Sequence, residues 1–169
     1  FMGGEFAQRS EWTHEGELDW GCLHGERHSG MQRLVQALNR VYRDEPALHT
    51  GDFSAEGFAW VEADDTENSV IAFLRLPRHD PASPGQPVLV VCNLTPIPRQ
   101  NYLVGVPTPG YWREVLNTDA REFGGAGWGN LGGLESAPVR SHHWTQSLCL
   151  TLPPLSTVIL QPVPAPAAA

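Results

Sequence analysis

The chain has 169 residues, a length that allows one full domain and part of another. Its net charge is −8, and all eleven basic residues are arginine. This acidic balance argues against a nucleic-acid partner, and no apolar run reaches the roughly 20 residues of a membrane helix.

The three cysteines are scattered along the sequence and form no CxxC pair, so they predict neither a disulfide framework nor a zinc site. Cys92 and Cys149 stand in apolar runs, where a thiol usually behaves as a small buried hydrophobe. Cys22 lies in the acidic N-terminal part. We therefore expect a reducing, cytoplasmic location, and the sequence indicates no cofactor.

The chain divides into two parts of different pattern. Residues 1–48 are predicted to contain a strand end (1–6), an acidic loop and one helix, whereas residues 52–163 are built from short apolar runs. Residues 164–169 form a Pro/Ala tail that we expect to be disordered. One strand and one amphipathic helix cannot bury their own apolar faces, so the first part should need a partner.

A stripe of apolar residues predicts the helix at residues 29–45. Ser29 is suited to an N-cap, and Pro46 ends the helical pattern. Residues at helical spacing form the apolar face, namely Met31, Leu34, Val35, Leu38, Val41 and Tyr42.

The second part predicts an antiparallel β-sandwich. Turn residues separate seven short runs rich in Val, Ile, Leu and aromatic residues. The predicted strands are 58–63, 69–76, 87–94, 102–106, 111–117, 147–152 and 157–161. The fold class from the residues alone is therefore mainly β.

Two loops interrupt this pattern. Residues 78–86 are rich in Pro, Ser and Gly and predict a hairpin tip. Residues 124–133, called the glycine loop below, contain six glycines together with Trp128 and Asn130. Because no GKS or GKT follows, the glycine loop is not predicted to hold a phosphate.

A candidate binding site lies where the predicted first strand meets the loop. Glu5, Gln8, Glu11 and Trp12 combine carboxylates, an amide and an indole, which are the groups that bond sugar hydroxyls and stack on pyranose rings. Paired carboxylates also serve glycosidases as acid and nucleophile. The alternatives are an acidic loop edge bonded to its own backbone and, for Trp12, packing of the loop on its own domain.

Trp60 is a second candidate because it alternates with its neighbours in a predicted strand. If it faces outward it can form a sugar platform, whereas sharing a core face with Phe58 would make it structural. The histidines show no HExxH motif, so no metal site is predicted. The adjacent His142 and His143 would point to opposite sides of an extended chain.

Several stretches resemble bacterial 1,4-α-glucan (glycogen) branching enzymes of the α-amylase superfamily. The similarity runs in order from residue 1 to about residue 161. It is carried by residues 1–8 (FMGGEFAQ), 9–12 (RSEW), 18–20 (LDW), 32–43 (QRLVQALNRVYR), 93–102 (NLTPIPRQNY), 112–119 (WREVLNTD) and 147–157 (SLCLTLPPLST).

The resemblance implies a layout for both parts of the chain. Residues 1–48 would be the last strand, loop and helix of a catalytic (β/α)8 barrel, and residues 52–163 would be the C-terminal sandwich that follows it. Glu5, Gln8, Glu11 and Trp12 would then lie at the rim of the glucan cleft, since barrel active sites lie at the C-terminal ends of the strands. Gly4 stands where we expect asparagine in many relatives, which weakens a hydrogen-bonding role there.

The resemblance also implies an activity for the parent enzyme. Such enzymes cleave an α-1,4 glucan and transfer the segment to a 6-hydroxyl by a retaining double displacement. The three catalytic acids come from earlier strands, so no catalytic residue is assigned in this chain. The implied partners are α-glucan (glycogen or amylose) and the N-terminal barrel of the same enzyme. The sandwich would stabilise the barrel, or alternatively serve as a non-catalytic glucan-binding module of another enzyme of the superfamily.

Overall fold

The computed structural model describes residues 1–78 and 85–164. Across these two ranges the chain forms one α-helix, α1 (Glu26–Asp44), and eight strands. The strands are β1 (Phe58–Asp65), β2 (Val70–Arg75), β3 (Val88–Asn93), β4 (Arg99–Val106), β5 (Tyr111–Asn117), β6 (Gly133–Glu135), β7 (Gln146–Leu152) and β8 (Ser156–Pro162). No helix in this part of the chain is long and apolar enough to cross a membrane.

All seven predicted strands are present, and the prediction of a mainly antiparallel β fold is confirmed. The sequence analysis missed β6, which begins at the last glycine of the glycine loop. Glycine weakens a strand pattern, so only pairing with β5, where Leu134 lies opposite Trp112, makes this segment a strand.

The strands form two sheets with a core between them. Six strands pair in the order β1-β2-β3-β8-β5-β6, and β4 pairs with β7 in a second sheet. Trp112 is fully buried in this core, where it packs with apolar residues of both sheets. Fully buried residues around it include Leu74, Leu89, Val104, Leu148, Leu150 and Leu160. Alternation along each strand produces the sandwich because every second side chain points into this layer.

The helix α1 covers the outer face of the six-stranded sheet. Leu34, Ala37 and Val41 pack against a second buried cluster. The cluster consists of Ala47, in the short 3-10 helix that follows α1, and four residues of that sheet, namely Val88, Val90, Leu116 and Ile159. The molecule therefore has three layers, with the six-stranded sheet in the middle and apolar on both faces.

The helix differs from its prediction at the N-terminus. It begins at Glu26 with Gly25 as N-cap, and Ser29 lies inside the helix, where its hydroxyl donates to the carbonyl of Glu26. The predicted N-cap was wrong because a serine hydroxyl can bond the preceding turn as readily as it can cap. The apolar stripe also divides, since Leu34 and Val41 meet the sheet while Leu38 stays exposed.

Both ends of α1 are attached to the sheet side of the molecule. Near the N-terminal end, the Arg33 guanidinium Nε donates to the carbonyl of Glu122 at 2.7 Å. At the C-terminal end, the Glu45 carboxylate accepts from the Gln161 amide, and Arg113 lies 3.8 Å away. These bonds fix the helix against β5, β8 and the loop after β5.

Residues 1–6 do not form the predicted strand. They contain a turn and a short 3-10 helix at Gly4–Phe6, in which the backbone N–H groups of Phe6 and Gln8 both donate to the carbonyl of Gly3. A strand needs a neighbour for its backbone groups, and none of the described strands pairs with this segment. Hydrogen bonds within the turn therefore replace the hydrogen bonds that a neighbouring strand would supply.

Two further predictions meet the described structure only in part. Residues 79–84 of the predicted hairpin tip and residues 165–169 of the predicted tail lie outside the described residues.

The expectation that Cys149 is buried was wrong, because it faces outward from β7 between the buried Leu148 and Leu150. Cys92 is half-buried on the side of β3 that carries α1.

Candidate functional site

The N-terminal segment folds back on the start of α1. Phe6 is fully buried and packs on the exposed Trp20, with ring centroids 5.2 Å apart. The Nδ1 atom of His28 lies 3.0 Å from the carbonyl oxygen of Phe6. Trp12 is half-buried and meets Phe1 edge to face at 5.7 Å. Aromatic packing, rather than a sheet, therefore holds this segment.

The polar candidates of this segment bond mainly to their own backbone neighbours. A carboxylate oxygen of Glu5 accepts from the N–H of Gly3 at 3.0 Å. The amide oxygen of Gln8 accepts from the N–H of Asp19 at 3.1 Å. This bond holds residues 8 and 19 of the acidic loop together. The Glu11 carboxylate accepts from the N–H of Trp12 at 3.2 Å. These bonds match the alternative of a hydrogen-bonded loop edge.

Among the predicted site residues, Glu5 and Gln8 are neighbours in space. Glu5 and Gln8 both lie against Gly3, whose φ of 87° is in the left-handed region, and a side chain at this position would overlap Gln8. Trp60 belongs instead to β1 of the sandwich. The assignment of Glu5, Gln8, Glu11, Trp12 and Trp60 to glucan binding stays a prediction.

Trp60 faces away from the sandwich core. Its side chain is 57% exposed, whereas the preceding Ala59 and the following Val61 pack into the core between the sheets. The alternative in which Phe58 and Trp60 share a core face is therefore wrong. The two rings share the outer face, which carries α1 elsewhere, and they meet edge to face at 5.0 Å. Phe73 from β2 stacks on Phe58 at 5.3 Å.

A polar cluster joins β1 to the second sheet at this edge. The Asp65 carboxylate accepts from the Tyr102 hydroxyl at 2.6 Å and from the backbone and side-chain amides of Asn68 at 3.0 Å. Burial opposes the charged carboxylate, but these hydrogen bonds and the Arg99 guanidinium lower the pKa of Asp65 below its ordinary value. Burial and the Asp65 carboxylate raise the pKa of Tyr102 well above its ordinary value, so the hydroxyl keeps its proton and donates.

The two adjacent histidines lie in a turn. Their φ angles of 47° and 70° are left-handed, so the extended geometry expected for His142 and His143 was wrong. The N–H of Gly105 donates to Nδ1 of His142 at 3.2 Å, and Nε2 lies 3.0 Å from the Glu62 carboxylate. His142 thus forms a second link between the two sheets, because it contacts both Glu62 of β1 and Gly105 of β4. Within residues 1–78 and 85–164, no three His, Cys, Asp or Glu side chains group as metal ligands.

The glycine loop is held by side chains that the sequence analysis did not single out. The Asp119 carboxylate accepts from the N–H groups of Ala126 and Trp128, both at 3.0 Å. The Asn117 amide donates to the carbonyl of Trp128 at 2.6 Å. An available signal was the Asn-Thr-Asp end of β5 just before the glycines, since Asn and Asp side chains commonly bond the backbone of a following turn.

Comparison with known proteins identifies the family of the sandwich. Residues 60–163 match the family described as alpha amylase, C-terminal all-beta domain. The match covers more than half of the chain and all strands from β2 onward. The chain belongs to the alpha-amylase C-terminal all-beta domain family.

The curated relatives share more than this domain. The chain is 62% identical over 164 residues to the 1,4-alpha-glucan branching enzyme GlgB of Albidiferax ferrireducens, which is 97% of this chain and 26% of that protein. It is 55% identical over 162 residues to the GlgB of Aromatoleum aromaticum, covering 96% of this chain and 25% of that protein. The chain thus spans about a quarter of the length of these relatives. A solved alpha-amylase from H. orenii superposes with a TM-score of 0.42 at 18% identity, over 80% of this chain and 20% of that one.

Proposed function

We propose that this chain is the C-terminal part of a bacterial 1,4-α-glucan branching enzyme. The carrying observation is the alignment over 164 of 169 residues at 62% identity, which leaves only five residues outside it and so includes most of residues 1–48. The all-beta family accounts for residues 60–163 alone. The N-terminal segment and α1 are thus similar to the same relative as the sandwich, as expected for the end of a catalytic barrel joined to its C-terminal domain.

The two faces of α1 support this layout. One face packs on the six-stranded sheet through Leu34 and Val41. On the other side Met31, Leu38 and Tyr42 remain exposed. A helix with apolar residues on both sides is suited to burial between two layers. We assign the second layer to the barrel of the parent enzyme, so that the sandwich holds the last barrel helix in place.

The parent enzyme would break an α-1,4 bond and form an α-1,6 bond. An aspartate attacks the anomeric carbon while a glutamate protonates the departing oxygen, and a glucan 6-hydroxyl then displaces the aspartate as the same glutamate takes its proton. These acids are assigned to the rest of the barrel. In this chain Glu5 and Glu11 bond to nearby backbone N–H groups, and we propose that they line the rim of the cleft with Gln8 and Trp12. The chain by itself is then inactive.

We place the parent enzyme in the cytoplasm. All three cysteines lie among the described residues as free thiols. Unpaired cysteines without disulfides are typical of reducing compartments.

A chimera tests the proposal. This chain would replace the matching C-terminal segment of the A. ferrireducens relative, and the purified chimera would be incubated with amylose. New α-1,6 linkages, measured by enzymatic debranching, are expected from the chimera. The chain alone and the relative without its C-terminal segment are the controls and should form none. A folded chimera that leaves amylose linear contradicts the proposal, and branching by the chain alone contradicts the assignment of the acids to the barrel.

Exposure of Trp60 favours a second role, in which the sandwich holds α-glucan. Its indole is presented from a rigid strand and supported edge-on by Phe58 and Phe73. Affinity electrophoresis of the chain in glycogen gels measures such binding. Trp60→Ala should reduce the retardation, while Phe53→Ala, which removes a fully exposed ring elsewhere, should not. Equal retardation of the Trp60→Ala variant and the unsubstituted chain would reject this role.

A further inference from the structure

A groove runs across the end of the six-stranded sheet that lies farthest from Trp60. It consists of two adjoining cavities of about 290 Å³ and about 340 Å³. The first lies between α1 and β5, the second lies beneath the glycine loop, and Glu114, Asn117 and Ala120 line both. In the strand order β1-β2-β3-β8-β5-β6, β1 and β5 are separated by four strand spacings, or about 19 Å. The groove is therefore separate from the aromatic cluster on β1 and β2.

The glycine loop presents its indole from a fixed backbone. Trp128 is held at its N–H by Asp119 and at its carbonyl by Asn117. On the far side of the loop, the side chain of Asn130 donates to the Glu114 carboxylate at 2.9 Å, and its oxygen accepts from the N–H of Thr151 at 2.8 Å. A loop bonded in this way loses little conformational entropy when a ligand arrives.

The lining of the groove combines apolar and hydrogen-bonding groups. Trp128 is 41% exposed and Leu131 is fully exposed, so both offer apolar surface to solvent. Glu114 and Arg121 place charges of opposite sign beside them, and Arg40 lines the end near α1. Mixed charges do not select an anion such as a phosphate, whereas an indole beside carboxylate and guanidinium groups suits a neutral polyhydroxylated ligand.

Three glycines form part of the lining of the second cavity. They are Gly127, Gly129 and Gly132. An added Cβ would overlap the side chain of Arg121 at Gly127 and that of Asn117 at Gly129, whereas at Gly132 it would meet no atom within 4 Å. The loop therefore lies close to its supporting side chains, and at Gly132 the surface beside Trp128 is unobstructed.

We propose that this groove binds a linear α-1,4-glucan segment outside the catalytic cleft, with Trp128 as the stacking ring. The choice of α-glucan rests on the proposed function, whereas the assignment of a sugar-binding groove rests on its lining. The apolar edge of Leu131 extends the platform, and Glu114 and Arg121 bond the sugar hydroxyls. Such a site would keep a growing glucan attached to the parent enzyme between transfers.

Calorimetric titration of the 169-residue chain with maltoheptaose tests the groove. Trp128→Ala should raise the Kd for maltoheptaose about tenfold. Leu131→Ala, which truncates a fully exposed side chain and leaves the loop bonds intact, should weaken binding by a smaller factor. Phe53→Ala is the matched aromatic control and should not change Kd. The unfolding midpoint of each variant checks that the fold is retained.

Several results would overturn the proposal. The first is a chain that binds no maltoheptaose at millimolar concentration, and the second is a pair of folded Trp128→Ala and Leu131→Ala variants with unchanged Kd. The third is a Trp128→Ala substitution that destabilises the chimera but leaves sugar binding by the chain intact, because the barrel would then cover the groove.

The chimera separates this proposal from the proposed function. An active chimera together with Trp128-independent sugar binding rejects the groove and retains the branching enzyme. An inactive, folded chimera together with Trp128-dependent binding of maltoheptaose rejects the branching enzyme and retains the groove. In an active chimera, Trp128→Ala should lower the affinity for glycogen, whereas the control substitution Phe53→Ala should leave that affinity unchanged.

Discussion

At the residue scale, the polar groups between β1 and β4 show how a sandwich tolerates charge at its edge. Asp65 is partly buried, yet Tyr102, Asn68 and Arg99 together favour its ionised form. Its depressed pKa means that Asp65 contributes stability above its unfolded pKa of about 3.9, and that this contribution is lost as the pH falls through the lower folded value. Acid should therefore weaken the contact between the two sheets.

Tyr102→Phe should destabilise the chain by about 1 kcal/mol at pH 7, because a charged acceptor loses one of its donors. Removing that donor raises the folded pKa of Asp65, so the variant should lose less stability on acidification than the unsubstituted chain. The measurement is urea unfolding at several pH values from 7 down to below the folded pKa of Asp65. Tyr42→Phe, at an exposed position of α1, is the control. If the difference in unfolding free energy between Tyr102→Phe and the unsubstituted chain stays constant across this pH range, the role assigned to Asp65 is contradicted.

At the element scale, one glycine sets the distance between α1 and the loop after β5. Gly30 is buried, and an added Cβ would overlap the carbonyl oxygen of Phe123. Glycine costs about 1 kcal/mol in a helix interior relative to alanine, so its presence here opposes helix propensity. Close packing explains the choice, because the neighbouring Arg33 also bonds the carbonyl of Glu122 in this loop.

Gly30→Ala should therefore lower the stability of the chain by about 1–2 kcal/mol, since overpacking outweighs the gain in helix propensity. Thermal unfolding followed by circular dichroism measures the effect. Ser29→Ala, one residue earlier in the same helix, removes a hydroxyl that bonds only within the helix and should be neutral or slightly stabilising. A more stable Gly30→Ala variant would show that the helix and the loop can separate without cost.

At the scale of the whole molecule, α1 is the element through which we expect the sandwich to be joined to the rest of the parent enzyme. The face of α1 that contains Leu34 is covered by the sheet. Leu38 is 37% exposed in this chain, although it is apolar and lies in the middle of the helix. These two residues therefore distinguish packing within the chain from packing on the proposed barrel.

Leu38→Gln should leave the unfolding midpoint of the isolated chain nearly unchanged and lower that of the chimera, because only the chimera would bury this side chain. Leu34→Ala is the matched control and should destabilise both proteins, by about 1–2 kcal/mol for a half-buried leucine. Thermal unfolding of the four variants makes the comparison. Equal midpoints for the chimera with and without Leu38→Gln would contradict burial of this face against the barrel.

Short apolar runs separated by turn residues were sufficient to predict most of the sandwich. β5 was predicted with the bounds it has, and the neighbouring strands differ by a few residues at their ends. The resemblance to branching enzymes likewise depended on local stretches such as WREVLNTD, and the curated relatives agree with it. These features could be read from the sequence because each depends on a few consecutive residues and on the period-two geometry of a strand.

Other features depended on partners that are distant in sequence. The sequence shows that Trp60 is apolar, but not whether its ring is buried. The ring remains exposed because α1 covers a different part of the outer face of the sheet. Residues 1–6 have an apolar strand-like start, yet they form a turn because none of the described strands pairs with them. The local sequence thus determined which segments could be strands or helix, whereas the tertiary structure decided their exposure and pairing, since burial and backbone hydrogen bonding depend on the neighbours that the fold supplies.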